Sequence, residues 1–141
     1  MMVETHTVKF NTRGAGAIVD LTLEIKEAIV NSTIISGTIT AFVPGSTGGI
    51  TSMEYEPGLI EDVPEMFERL IPSDRPYEHD KTWRDGNGFS HLRGALIGPD
   101  ITVPFRNHEL LLGTWQQVVF LEFDNRPRER EIIFQIVGDK G

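Results

Sequence analysis

The chain has 141 residues, 39% hydrophobic and 24% charged, the balance of an ordinary globule long enough to bury a core as one domain. Thirteen basic against twenty-one acidic residues leave a formal charge of −8, and a broad negative field opposes coating by nucleic acid or anionic lipid. No cysteine is present, which excludes disulfides and thiolate-held metal groups, and no apolar run approaches the roughly 18 residues that span a bilayer. Any transition metal must therefore draw on the four histidines and the carboxylates. The polar first seven residues lack the apolar stretch of a secretory signal, so a cytoplasmic location is expected.

In chain order, residues 8–10 close a short strand and 11–16 read as a turn. From Asp20 an amphipathic stretch sets Leu21, Ile25, Ala28 and Ile29 at helical spacing, ended by Asn31 and Ser32. Residues 33–43, rich in β-branched side chains and broken by Gly37, predict a strand. A loop at 44–49 leads to a further extended segment at 50–56. Leu59, Val63, Met66, Phe67 and Leu70 then form one helical stripe. Proline is tolerated in a first helical turn, so Pro64 is expected there, with Asp62 as N-cap, Glu65 completing a capping box and Pro72 as the stop. A second helix is predicted over 88–97, with Phe89, Leu92 and Leu96 facing the core. Strands follow at 101–105, 110–112, 114–123 and 129–137, with turns near Asn107, Gly113 and Asn125-Arg126-Pro127. Mixed elements followed by consecutive strands predict an α+β fold with mainly antiparallel pairing, in a single domain over residues 1–141.

Polar side chains are densest in Tyr77-Glu78-His79-Asp80, Trp83-Arg84-Asp85-Gly86-Asn87-Gly88, His91 and Arg93. On the predicted second helix Asn87, Ser90, His91 and Gly94 share one face, opposite Phe89, Leu92 and Leu96. That face is either a solvated side or a site. A mid-helix glycine costs about 1 kcal/mol relative to alanine, so Gly94 points to a ligand or another chain segment close against the backbone. The amides of Gly88, Phe89 and Ser90 lie at the positive end of that helix, where a phosphate would fit and where Asn87 is the expected N-cap. Gly45-Ser46-Thr47-Gly48-Gly49 is a second anion cradle or an ordinary turn, without the lysine of a phosphate loop. Glu54, Glu56 and Asp62 could join His79 and His91 around a divalent cation, although each carboxylate alone also reads as a solvated charge. His6 and His108 are assigned nothing. Gln116 and Gln117, beside Thr114 and Trp115, open an otherwise apolar strand and need partners from a ligand, a core network or a subunit interface.

In their order and spacing, Tyr77-Glu78-His79, Asp85-Gly86-Asn87-Gly88, Ser90-His91-Leu92-Arg93, Ile97-Gly98-Pro99, Thr102-Val103-Pro104 and Gly113-Thr114-Trp115-Gln116-Gln117 resemble the YjbQ family, over about residues 8–137. Its members are often labelled secondary thiamine-phosphate synthases. The resemblance implies a two-sheet, mainly antiparallel β-sandwich with flanking helices, assembled as a homotrimer. It also implies a weak transferase joining a pyrimidine diphosphate to a thiazole phosphate; the alternative is a non-catalytic binding protein for a phosphorylated metabolite. It carries over His79, Asn87, His91 and Glu54 as family site residues. Joined with the reading of the residues, this makes His79, His91 and Glu54 the catalytic candidates. Asn87, Gly88, Ser90, Arg93, Gln116, Ser46 and Thr47 are the ligand-binding candidates, and His79, His91 and Asp62 the candidate ligands of a divalent metal, Mg or Zn. The expected partner is a phosphorylated small molecule, with no nucleic acid and no membrane. Many members have His-Thr-Thr where this chain has Gly45-Ser46-Thr47, so here a hydrogen stands in place of an imidazole.

Overall fold

A computed structural model describes residues 1–141. Its elements are β1 (Met2–Thr12), β2 (Ile18–Asp20), α1 (Thr22–Val30), β3 (Ser36–Phe42), β4 (Gly48–Met53), α2 (Pro57–Leu70), α3 (Glu78–Trp83), α4 (Gly88–Ile97), β5 (Asp100–Arg106), β6 (Glu109–Leu110), β7 (Gln117–Glu122) and β8 (Arg128–Asp139). Every strand pairing is antiparallel, in a five-stranded sheet ordered β1-β8-β3-β5-β6 and a three-stranded sheet ordered β2-β7-β4. The α+β, two-sheet architecture with flanking helices is as expected.

The nearly unbroken apolar run at 118–123 is explained by the place of β7. It is the centre strand of the small sheet and is covered on both faces. Val118 and Phe120 enter the main core with Ile39, Ile132, Phe134 and Ile136 of the large sheet, while Val119, Leu121 and Phe123 pack with Phe67 of α2. Helix α1 closes the main core with Leu21, Ile25 and Ile29, all essentially buried. Each such side chain contributes about 1.5–3 kcal/mol. The same alternation fixes two charges. Glu122 continues the inward row of Val118 and Phe120, and Arg130 begins the inward row of Ile132, Phe134 and Ile136, so the two meet at the end of the core.

Four expectations are corrected. Helix α2 begins at Pro57, not beside Pro64: the Glu56 carboxylate caps it, accepting from the amides of Gly58 (2.9 Å) and Leu59. Asp62 is therefore an exposed mid-helix residue and Pro64 an interior proline. An interior proline costs about 3 kcal/mol, offset here by the burial of Phe67 edge-on to Phe123, with ring centroids 4.8 Å apart. On α4 the inward face is Phe89, Ser90, Arg93 and Gly94, while Leu92 and Leu96 are exposed. Small residues let α4 lie directly on β4, and this outweighs the pull of the leucines. Residues 114–116 form a turn rather than the start of a strand, closed by Gln116 N–H to Gly113 O. The strand β1 is longer than expected, paired with β8 from Met2 to Thr12. No helix is long and apolar enough to cross a membrane.

Candidate active site

One carboxylate organises the junction of α3 and α4. Asp80 accepts from the Tyr77 amide (3.0 Å) with one oxygen and from the Gly88 amide (2.9 Å) with the other, starting both helices at once. Those two hydrogen bonds hold its carboxyl below the usual range. Tyr77 is fixed in turn by its hydroxyl, which donates to Pro72 O at 2.7 Å. A Cβ at position 88 would lie 2.7 Å from that of Tyr77, so glycine is what lets the helices close up. Two of the three amides of the expected phosphate cradle at the start of α4 are consequently occupied: that of Gly88 by Asp80, and that of Ser90 by Asn87 O (3.0 Å).

This closure brings His79 of α3 against His91 of α4, with ring centroids 4.2 Å apart and planes at 37°. His79 Nδ1 lies 3.9 Å from an Asp85 oxygen and 4.0 Å from an Asp80 oxygen, just outside hydrogen-bond reach. With its amide nitrogen turned inward, Asn87 donates to Asp85 Oδ1 at 2.8 Å, which steadies that carboxylate. Burial pushes the His91 pKa down, the neighbouring His79 pushes it further, and the carboxylates of Asp124 and Asp85 oppose both without prevailing. These effects together favour the neutral form of His91, whose lone pair is then available to a proton or a metal. The imidazoles border a cleft of about 560 Å³ that also includes Arg75, Tyr77, Lys81 and Gly88. Arg75 stacks over the Tyr77 ring at 4.7 Å, and Lys81 pairs with Glu78 at 2.9 Å on the exposed rim.

The other candidates fall elsewhere. Glu54 is exposed just beyond β4, and Asp62 lines a separate groove with Glu65, Met66 and Arg69; neither borders the histidine cleft. Arg93 is buried and bound to Ile71 O (Nε 3.1 Å, Nη2 2.8 Å) and Glu68 (2.8 Å), so it ties α4 to the end of α2 instead of facing a ligand. The Ser90 hydroxyl is buried without a partner. Gln116 bonds Ser52 and the Gly113 amide, both at 3.1 Å, and braces its own turn. A Cβ on Gly94 would come within 2.9 Å of Ser46 O, so another chain segment presses on that glycine.

Thr47 belongs to a buried ionic network that the motifs did not reveal. Arg130 donates to Glu122 through Nε (2.9 Å) and Nη2, and to Thr47 Oγ1 at 2.9 Å. Thr47 Oγ1 donates to Asp124 at 3.1 Å, Arg128 closes on Asp124, and Thr12 donates to Glu122 at 2.6 Å. The signal was the parity of Glu122 and Arg130 with core positions. Asp80, Asp85, Arg75 and Lys81 also join the site without having been singled out. The first two stood within the dense polar segment, and the last two had no pattern to mark them.

Fold and site define a two-sheet α+β protein with an imidazole pair where two short helices meet. The family model described as "UPF0047 protein YjbQ-like" matches residues 6–139, and the chain belongs to that family. It is 36% identical over 116 residues to a UPF0047 protein of Archaeoglobus fulgidus, covering 82% of this chain and 87% of the relative. It is 35% identical over 140 residues to one of Methanocaldococcus jannaschii, covering 99% and 96%. A YbjQ-like protein of unknown function from Sulfolobus solfataricus superposes with a TM-score of 0.87 at 28% identity, covering 98% of this chain and 100% of the other. A hypothetical protein from Aeropyrum pernix superposes at 0.84 with 30% identity, covering 99% and 100%.

Proposed function

We propose that the His79–His91 cleft is the site of a small-molecule transferase that joins a pyrimidine diphosphate to a thiazole phosphate. The carrying observation is the imidazole pair, with centroids 4.2 Å apart, in one cleft with the cations Arg75 and Lys81. In such a reaction the bond from the pyrimidine methylene to the diphosphate oxygen breaks, and pyrophosphate leaves with the electron pair. The thiazole nitrogen lone pair forms the new carbon–nitrogen bond. Arg75 and Lys81 neutralise the diphosphate, and neutral His91 orients it or accepts a hydrogen bond. His79, Asp80 and Asp85 place a nitrogen and two carboxylate oxygens within 4.8 Å of one another, a donor set suited to Mg or Zn. A divalent cation held there would supply further charge neutralisation to the leaving group. Asp80 keeps lone pairs for this role beyond the two amides it accepts.

The alternative is a binding protein for a phosphorylated metabolite, which the cleft cations Arg75 and Lys81 would hold without turnover. Product formation separates the two readings. With both substrates supplied, chromatography with mass detection should show thiamine phosphate from the wild type, reduced about 10²–10⁴-fold in His79→Ala and His91→Ala. Undiminished turnover in both variants removes these residues from the chemistry. A rise in melting temperature without conversion moves the reading to the binding protein. A homotrimer is part of the same proposal, using the exposed Leu92 at the cleft and the exposed Trp83 at the end of α3, and sedimentation equilibrium tests it.

A further inference from the structure

His91 borders two clefts. On one side lies the cleft shared with His79, and on the other a cleft of about 370 Å³ formed by Gly45, Ser46, Gly48, Gly94 and Pro99. Beneath Gly45, behind the residues that line this cleft, is Arg130, only 5% exposed, which also borders another groove with Lys9, Asn11, Glu129 and Glu131. Its Nε and Nη2 are committed to Glu122 and Thr47, while Nη1 has no acceptor within the chain. A Cβ on residue 45 would sit 3.2 Å from that Nη1 and otherwise touch only a Val43 methyl at 4.0 Å. The backbone of Gly45 is not in the left-handed region, so its conformation does not call for glycine. What glycine provides is the open space over the guanidinium. The adjacent Ser46 is exposed and lines the same cleft, with its hydroxyl uncommitted.

We propose that this cleft is a second oxyanion subsite, in which a phosphate monoester reaches Arg130 Nη1 over Gly45 and takes a further hydrogen bond from Ser46. An arginine already fixed by its carboxylate partner presents its remaining N–H groups without further loss of side-chain freedom, and hydrogen bonds from an ionised donor are the strong kind. Because the pair with Glu122 is neutral as a whole, the subsite selects by donor geometry more than by field. With the diphosphate in the first cleft, the second phosphorylated substrate lies across His91 from it. This assignment of a second substrate rests on the transferase reading, whereas the anion site itself rests on Arg130 and Gly45 alone.

Inorganic phosphate is the probe, followed by calorimetric titration and by the guanidinium ¹⁵N–¹H resonances of Arg130. Removing Arg130 would break the buried pair, so the test uses Gly45→Ala, which fills the cradle and leaves the pair intact. Wild type should bind phosphate with displacement of the Arg130 Nη resonances. Gly45→Ala should bind it at least tenfold more weakly at that site, with the displacement gone and the melting temperature kept. Arg75→Ala/Lys81→Ala should leave the Arg130 response in place. Arg130 resonances that do not move in the wild type, or an equal response in Gly45→Ala, overturn the subsite. Failure of the transferase reading looks different: His79→Ala and His91→Ala then keep full turnover while the Arg130 response persists.

Discussion

Two polar clusters meet at His91, and they are built in opposite ways. The Glu122–Arg130–Thr47–Asp124–Arg128 network is buried, and its carboxylates are surrounded by donors. The His79–Asp85–Asp80 corner is half open, and its imidazole nitrogen stops at 3.9–4.0 Å from both carboxylates. Satisfied groups at the end of the core fix where the sheets and the 44–47 loop sit. Groups left short of their partners are the ones free to engage something that arrives. The same residue types therefore read as scaffold in one place and as chemistry in the other.

The largest effect should come from breaking the closed cluster. Glu122→Ala leaves the Arg130 guanidinium buried and without its carboxylate, which should cost about 3–5 kcal/mol in urea unfolding. Glu122→Leu combined with Arg130→Met should recover most of that loss. If the single variant is as stable as the wild type, the network is not the scaffold described. The contact between the two regions comes next. Gly94→Ala puts a methyl 2.9 Å from Ser46 O and should cost about 1–3 kcal/mol by displacing the loop or α4; an unchanged unfolding midpoint would mean that the contact is slack.

Acid should separate the clusters most gently. The native pKa of His91 lies below its ordinary 6.5, so the unfolded chain binds this proton more readily. Its contribution to stability is complete above 6.5 and declines as pH falls from there through the lowered native value. Activity that needs neutral His91 should be flat above 6.5 and fall only below it. In the closed cluster, burial works to raise the Asp124 carboxyl, but hydrogen bonds from Arg128, Thr47 and the Asn125 amide prevail and hold it below 3.8. Its contribution is present above 3.8 and is lost as pH falls through that lower value. Site function should therefore fail before the scaffold does, as followed by turnover and by near-ultraviolet circular dichroism on one pH series.

The fold was legible wherever periodicity ran for several turns or residues: α1, α4, β3, β5 and β8 stand close to their expected places. Helix α3 and strand β2, at six and three residues, are too short to show a period. The start of α2 departs from expectation because Glu56-Pro57, and not Asp62 with Pro64, supplies the cap and the first-turn proline. On α4 Phe89 keeps its expected inward place, but close approach to β4 puts Ser90 and Gly94 inward in place of Leu92 and Leu96. Within the site, His79, Asn87 and His91 stood out as polar residues in a dense segment, and the structure groups them. Glu54 and Asp62 cannot be placed from composition alone, since their distance from the histidines depends on how β4 and α2 lie relative to α3. The Glu122–Arg130 pair joins two sheets, and no local spacing encodes it.

The proposed function puts a phosphorylated ligand at the His79–His91 corner and at no other histidine. Titration of the wild type with inorganic pyrophosphate, with and without Mg²⁺, followed through the imidazole ring-proton NMR signals, tests it most directly. The signals of His79 and His91 should move together while those of His6 and His108 stay fixed. Movement confined to His6 or His108, or no movement of His79 at saturating pyrophosphate, would contradict it.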